Sequence, residues 1–390
     1  MEIKQKFTVF LRSKSFQFLL VAFVILALLP VLIPDSFFLY LLTMVCIFAT
    51  YATSWNFLAN SGQGSLGHAA FLGLGGFSSA IIGTRLSAAL MGLLGATQMP
   101  IGVLSVVIQV LVLLIGGLFS AGVGLLIGLA CVRLKAWYLA MVTFGFSVIA
   151  STLSNQFDPF TNGINGFAPT TLVPTGFPFY ILVISFTAAS VLSMYLLMKT
   201  RMGLAFRAIH GNEAEARMIG INTAKYKLIA FVISTFFAGI AGGLYVYFIR
   251  FVDNSIFSPA NSFLPLIMSV IGGLGTVGGP IIGSIFMVSI EQTLRLPSVA
   301  NAFHESLGSY FPGISNVGSP ISFLLIGIFL VVLVIFAPKG LISLFQKIYK
   351  LLSTETHEKA EEKKKPKDSV SLFRKIYKQL GGIKLQKKEK

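Results

Sequence analysis

The sequence is poor in charged residues. They make up 11% of its 390 residues, whereas globular domains contain about 25%, and hydrophobic residues make up 55%. This composition excludes an ordinary soluble protein. Several uncharged apolar runs approach the ~20 residues with which a helix crosses the hydrocarbon core of a bilayer, and only helices satisfy their own backbone there. The sequence therefore predicts an all-α fold, a polytopic transmembrane helical bundle. The runs are Phe16–Ile33, Phe37–Ala59, Ile101–Val132, Ala136–Ser154, Pro178–Met198, Leu228–Ile249 and Ile321–Ala337.

The chain also lacks groups on which several kinds of chemistry depend. Its two cysteines, Cys46 and Cys131, both lie in apolar runs, so no disulfide framework is predicted. None of its fourteen Asp and Glu residues lies in the middle of a span, although a proton-coupled carrier usually needs a buried carboxylate. The phosphate-binding loop G-x-x-x-x-G-K-[ST] and the H-E-x-x-H and G-x-S-x-G motifs are missing. We therefore predict no enzyme activity, no cofactor and no metal site, and expect energy to enter through another protein.

The basic residues that are present are concentrated in three segments. Of the 30 Lys and Arg, four lie before residue 15, six within Lys199–Lys227 and fifteen from Lys339 onward. The positive-inside rule assigns these segments to the cytoplasmic side. The region Phe263–Gln292 must then cross an even number of times, and the helix-breaking sequence at Ile271–Pro280 predicts two short or re-entrant helices. The expected bundle has about eight to ten spans with a broken or re-entrant pair near 271–280.

The composition changes near the C-terminal end. We predict one transmembrane domain over residues 1–350 and a charged cytoplasmic tail over 351–390 that is disordered for most of its length. Within this tail, 371–380 has the character of a basic amphipathic segment suited to anionic headgroups. It begins with SLFRKIYK, which repeats the SLFQKIYK of Ser343–Lys350 with one mismatch. A duplicated tail without a role is the alternative.

The segment Lys199–Lys227 is the only long charged stretch between apolar runs. We predict that it forms a short amphipathic helix with a glycine, Gly220, at its end. A solvated loop needs only Gly, Ser and Asn, so a capped helix with its own apolar face indicates a cytosolic partner. The apolar face is predicted to consist of Leu204, Ile209, Met218 and Ile219.

Residues Ser61–Gly76 form a polar, glycine-rich block at the start of another predicted helix. Its polar side chains Gln63, Ser65 and His68 are candidates for a substrate path, because half-helix ends with free N–H groups bind substrates in transporters. The alternative is an ordinary turn before a helix of small residues, with a neutral His68 bonded to a backbone carbonyl.

Small residues recur at every fourth position in two of the predicted spans. Such ladders let helix backbones approach closely in lipid. They are consistent with a tightly packed translocation core or with generic packing of membrane helices. The ladders are Gly116, Ser120, Gly124 and Gly128 in one run, and Ser234, Ala238 and Gly242 in the other.

Six separated motifs occur in the order that they have in one known family. On these motifs the chain resembles the permeases of high-affinity branched-chain amino acid ABC transporters, specifically the longer of the two permeases, over about residues 37–345. The motifs are SLGHAAFLGLGGF (Ser65–Phe77), VRLKAWYLAMVTFGF (Val132–Phe146), TNGINGF (Thr161–Phe167), GLAFRAIHGNEAEARMIGINTAKYKLIAFVISTFFAGIAGGLY (Gly203–Tyr245), IGGLGTVGGPIIG (Ile271–Gly283) and FAPKGL (Phe336–Leu341).

The resemblance implies an assembly in the bacterial inner membrane. It comprises a second permease subunit in a heterodimer, two cytosolic ATPase subunits and an extracytoplasmic substrate-binding protein. In such importers a cytoplasmic helix with an E-A-A-x-x-x-G pattern docks into a groove of the ATPase. Here Ala214 stands at the acidic position, so the individual role of each flanking Glu is open. The residues implied in ATPase coupling are Arg207, Glu213, Glu215, Ala216 and Gly220.

The motif TNGINGF adds three candidates on the outward side. It departs from the more usual T-G-G-P-N-G-[LI] at Asn162 and Ile164, where substrate choice or contact with the binding protein is expected to differ. Its residues Thr161, Asn165 and Gly166 join the candidate substrate path.

The function implied is import of branched-chain or related small amino acids, driven by ATP that separate subunits hydrolyse. An importer of urea or short amides, whose permeases share these motifs, is the nearer alternative. A secondary transporter or channel that needs no ATPase is the more distant one.

Overall fold

A computed structural model describes residues 14–94, 102–134 and 136–294, together with 296, 327, 340 and 341. Regular structure in these residues is helical, apart from an isolated antiparallel bridge between Phe167 and Val252. Two short 3₁₀ helices, Gly163–Asn165 and Asn254–Phe257, lie in loops. The α-helices are α1 (Lys14–Leu32), α2 (Ser36–Ala59), α3 (His68–Leu94), α4 (Val103–Cys131), α5 (Ala136–Gln156), α6 (Asp158–Thr161), α7 (Phe177–Lys199), α8 (Arg201–Gly211), α9 (Glu213–Met218), α10 (Thr223–Ile249), α11 (Pro259–Gly272) and α12 (Gly278–Leu294).

Six of the described helices are long and apolar enough to cross a membrane, namely α2, α3, α4, α5, α7 and α10. The predicted first span forms α1, a helix of 19 residues. Apart from residue 327, the predicted last span at Ile321–Ala337 lies outside the described residues, as does the tail with its amphipathic segment 371–380. The polytopic helical bundle is thereby confirmed.

The predicted broken pair is also confirmed. Helices α11 and α12 are joined by a turn over residues 273–277, in which Gly273 and Gly275 have φ angles of 124° and 79° that favour glycine. The two helices pack antiparallel with their backbones nearly in contact. A Cβ atom added to Gly272 would lie 1.7 Å from the carbonyl oxygen of Gly279, and one added to Gly283 would lie 1.8 Å from that of Met268.

Helix α10 lies at the centre of the bundle, between α3 and α4, and is the most deeply buried of the candidate spans. Glycine residues permit the central position of α10 because they have no side chains where the helices meet. A Cβ atom on Gly242 would lie 1.8 Å from the Leu72 carbonyl oxygen, and one on Gly75 would lie 2.2 Å from the Cα of Gly239. Backbones at these distances gain dispersion contacts that bulkier residues would prevent.

The small-residue ladder of α4 lies where this helix packs against α3 and α10. A Cβ atom on Gly116 would lie 2.0 Å from Ser79 Oγ, and one on Gly124 would lie 2.2 Å from Thr235 Oγ1. The hydroxyl of Ser120 is within hydrogen-bond distance of the carbonyl oxygens of Phe71 (3.0 Å) and Thr235 (2.9 Å). One hydroxyl thus links α4 to both α3 and α10, so the ladder is a packing device.

Replacing Gly242 with alanine tests this packing. We expect Gly242→Ala to lower the free energy of unfolding by about 1–3 kcal/mol, the usual cost of overpacking a core, because Leu72 and the backbone of α3 must move. The readout is the thermal unfolding midpoint of the purified chain. Gly122→Ala in α4 is the matched control, since its Cβ would meet nothing within 4 Å. Equal midpoints for the two variants would contradict the close contact.

Candidate functional site

The charged segment Lys199–Lys227 forms two short helices, α8 and α9, and not the single helix expected. They are divided at Asn212, whose backbone is extended at φ −156° and ψ 112°. Its side-chain oxygen accepts hydrogen bonds from the backbone N–H groups of Ala214 (3.0 Å) and Glu215 (3.4 Å). Asn212 therefore ends α8 and caps the N-terminus of α9, a role that asparagine performs well.

The four residues of the predicted apolar face do not all point in the same direction. Ile209 is buried on the side of α8 that faces the bundle, as is Phe206, whose ring packs edge-on against Phe57 at 5.5 Å. The other three residues of the predicted face point to the surface. Their exposed fractions are 62% for Leu204, 79% for Met218 and 75% for Ile219. We refer to Leu204, Met218 and Ile219 as the exposed apolar set.

Glu213 links α9 to the start of α10. Its carboxylate accepts hydrogen bonds from Arg217 Nη2 at 2.5 Å and from the ammonium group of Lys227, whose side chain is only 7% exposed. Partial burial alone would raise the pKa of Glu213, but the hydrogen bonds from Lys227 and Arg217 outweigh it and lower that pKa below its ordinary value. The segment is thus joined to the central helix by charge-assisted bonds.

Lys227 was missed among the sequence candidates. The sequence signal that could have found it is its position, a lysine in the second turn of the apolar helix α10, because ionisable residues in such helices are usually paired. Its backbone carbonyl also accepts a hydrogen bond from Gln63 Nε2 at 2.9 Å. Gln63 is buried, and this hydrogen bond joins the loop before α3 to the start of α10.

The remaining coupling candidates lie in α8, in α9 and just after α9. The guanidinium of Arg207 donates to the carbonyl oxygen of Met198 at 2.9 Å, in the last turn of α7. Glu215 is exposed and accepts from the Asn212 amide at 2.6 Å, whereas Ala216 is buried. Gly220 has φ +86° and an exposed position with no atom within 4 Å of an added Cβ. Its left-handed conformation is the usual one at the end of a helix.

His68 lies at the start of α3 in a buried polar cluster. Its Nε2 is 3.2 Å from Ser54 Oγ in α2 and 3.3 Å from Ser234 Oγ in α10, so the carbonyl partner considered above is replaced by two hydroxyls. His68 has no exposed surface, and its Nδ1 has no hydrogen-bond partner among the described residues. Ser65, also buried, accepts at its carbonyl oxygen from the Trp55 indole N–H at 2.7 Å.

The first turn of α11 lies beside this cluster. The backbone N–H of Ala69 donates to Ser262 Oγ at 3.4 Å, and the hydroxyl of Tyr51 donates to the Asn261 carbonyl oxygen at 3.0 Å. The ring of Tyr51 is also 5.6 Å from the ring of His68, centroid to centroid. The N-terminal ends of α3 and the half-helix α11 therefore meet inside the bundle.

The three outward candidates lie in a separate loop. Thr161 Oγ1 donates to the Ser154 carbonyl oxygen at 2.5 Å, and Gly166 has φ +61° with its backbone against the carbonyl of Val252. Asn165 is exposed. No hydrogen bond described for 14–94 or 136–294 joins these three residues to Gln63, Ser65 or His68. Within the described residues, no group of three His, Cys, Asp or Glu could hold a metal ion.

Comparison with known proteins identifies a family. Residues 37–334 match the family model described as branched-chain amino acid transport system / permease component. The chain is 27% identical over 269 residues to the high-affinity branched-chain amino acid transport system permease protein LivM of Salmonella typhimurium, a match that covers 61% of this chain and 58% of that relative. No solved structure matches.

Two further relatives are more partial. The probable branched-chain amino acid transport permease protein LivH of Methanocaldococcus jannaschii is 30% identical over 46% of this chain and 53% of its own length. The xylose transport system permease protein XylH of Haemophilus influenzae is 32% identical over 32% of this chain and 34% of its own length. The match thus covers 58% of the length of LivM, 53% of LivH and 34% of XylH. By the extent of the family match, the chain belongs to the branched-chain amino acid transport permease family and is a multi-pass protein of the inner membrane.

Proposed function

We propose that this chain is the transmembrane permease subunit of an ABC importer for branched-chain or related small amino acids. The observation that supports it most is the family match over residues 37–334, together with spans that carry no mid-span acid. A chain without a mid-span carboxylate lacks the usual group for coupling to a proton gradient. ATP hydrolysed by separate subunits supplies the energy in this proposal.

The proposed partners are a second permease subunit, two cytosolic ATPases and an extracytoplasmic binding protein. Support for the ATPases comes from the exposed apolar set, because three large apolar side chains on a charged segment fit a protein groove better than water. Residues 1–350 are proposed to be the membrane domain, 199–227 its ATPase-coupling loop, and 351–390 a cytoplasmic tail.

The proposed route of coupling runs from α9 through Glu213 and Lys227 into α10. ATPase closure would shift α8 and α9, and the partly buried ion pair would pass this shift to the central helix. Because α10 also carries Ser234, a partner of His68, the shift would reach the polar cluster and change the population of inward- and outward-open states. The loop with Thr161, Asn165 and Gly166 is proposed to receive substrate from the binding protein.

Uptake by the reconstituted transporter tests the proposed function. We expect vesicles that hold this chain with its partner permease, ATPases and binding protein to import labelled leucine when ATP is present. Labelled urea should not enter, and this chain alone should import neither. Uptake of urea in place of leucine would favour the amide importer, and uptake by the isolated chain would reject the ABC assignment.

Charge placed on the exposed apolar set tests the docking surface. We expect Leu204→Asp, Met218→Asp and Ile219→Asp each to reduce co-purification of the ATPases, because a carboxylate would be desolvated in the groove. The chain itself should stay folded, since these side chains are exposed. Ile164→Asp is the control, an equally exposed apolar residue in the outward loop. Normal co-purification of all three variants would contradict the docking proposal.

Neutralising Glu213 tests the ion pair. We expect Glu213→Gln to lower the unfolding free energy by about 1–2 kcal/mol, because Lys227 keeps a largely buried charge without its partner. The lowered pKa of Glu213 predicts that its contribution is complete above the ordinary carboxyl pKa and is lost as pH falls through the lowered value.

Glu213→Gln should therefore remove part of the acid sensitivity of the thermal midpoint. Glu215→Gln is the matched control, since that exposed side chain keeps an oxygen to accept from Asn212. If both variants showed the wild-type dependence on pH, the ion pair would not stabilise the segment.

A further inference from the structure

The hydrogen bonds around His68 determine which of its nitrogens carries a proton. Each serine hydroxyl has a single hydrogen. Ser54 Oγ donates its hydrogen to the Tyr51 carbonyl oxygen at 2.7 Å, and Ser234 Oγ donates to the Ser54 carbonyl oxygen, also at 2.7 Å. Both serine oxygens can then only accept from the imidazole. His68 is therefore protonated at Nε2, and in the neutral ring Nδ1 has a free lone pair.

This lone pair is an unsatisfied acceptor inside the bundle. A buried acceptor without a partner costs about 1–3 kcal/mol, and most such groups are satisfied by protein or by ordered water. The two nitrogens of an imidazole diverge, so Nδ1 is directed away from Ser54 and Ser234. The partner of Nδ1 must be a group that donates an N–H or O–H hydrogen and does not belong to the described residues.

The surroundings of His68 indicate the charge of a fitting molecule. The N-terminal ends of α3 and α11 meet beside it, where the Ala69 N–H donates to Ser262 Oγ and Ser258 caps α11, and the dipoles of helix N-termini attract carboxylates. Both helices are long enough for this effect, with 27 and 14 residues. The site thus pairs an acceptor for an N–H donor with two positive helix ends, which suits a small zwitterion.

We propose that His68 Nδ1 accepts a hydrogen bond from the ammonium group of the transported amino acid while the carboxylate faces the N-terminal ends of α3 and α11. This assignment rests on the proposed import of amino acids. Because His68 has no exposed surface, the substrate reaches it only when α3 and α11 separate during the transport cycle. Ser54 and Ser234 act as positioning residues that hold the imidazole in the required tautomer.

Nitrogen NMR of the complete transporter tests the assignment directly. With ¹⁵N-histidine labelling, the His68 signals are those lost in a His68→Gln variant and those whose Nε2–H exchanges slowly with solvent. We expect a protonated Nε2 and an unprotonated Nδ1, and an upfield shift of the Nδ1 signal when leucine is added. An Nδ1 signal that is identical with and without leucine, as a structural water would give, overturns the proposal.

Two matched variants provide a functional readout. In His68→Gln the amide nitrogen can reach the Nε2 position and donate to the serines, but the acceptor at Nδ1 is lost. In His68→Asn the side-chain oxygen can take the Nδ1 position. We expect His68→Gln to lower leucine uptake about tenfold, the value of one strong hydrogen bond, and His68→Asn to retain more uptake at equal amounts of assembled transporter.

The outcomes separate this inference from the proposed function. If the unaltered transporter fails to import leucine, the proposed function is wrong whatever His68 does. If it imports leucine and His68→Gln imports it at the same rate, only the assignment of His68 is wrong. The NMR measurement on the unaltered transporter still decides the question if either variant fails to assemble.

Discussion

The contact between α10 and its neighbours α3 and α4 is the constraint on which the rest of the structure depends. Apolar side chains gain little from burial when the surrounding lipid is also apolar, so helices in membranes associate through close packing and hydrogen bonds. Gly75, Gly239 and Gly242 bring two backbones into direct contact, and Ser120 bonds across the gap. Larger residues at these positions would separate the helices and leave the buried hydroxyls without hydrogen-bond partners.

Close packing also makes α10 a stiff connection between the charged segment Lys199–Lys227 and the buried polar cluster around His68. Lys227 and Ser234 are seven residues apart, about 10 Å at the helical rise, and they lie on the same helix. Lys227 is bonded to Glu213 of the charged segment, and Ser234 is bonded to His68. In the proposed coupling, a helix held on both sides by backbone contacts moves as a unit and carries a displacement from one of these residues to the other.

The sequence predicted features that depend on local pattern and missed those that depend on partners far along the chain. The spans and the break near Ile271–Pro280 follow from hydrophobic runs and glycine turns, which are local. The division of Lys199–Lys227 depends on whether Asn212 caps α9 or continues α8, and composition alone does not decide this. The pairing of Gln63 with Lys227 joins residues 164 positions apart, and no local pattern predicts such a contact.

The pairing of Lys227 with Glu213 lowers the electrostatic cost of the proposed coupling between the charged segment and α10. A lone lysine moved toward the hydrocarbon core would be opposed by the cost of desolvating its charge and, for inward-negative potentials, by the membrane field. Lys227 is paired with Glu213, and the pair carries no net charge. The zwitterion proposed as the substrate adds no net charge. In the proposed transport cycle, conformational change therefore proceeds with little work against the membrane potential, which leaves the energy supplied by the proposed ATPases for opening and closing the path.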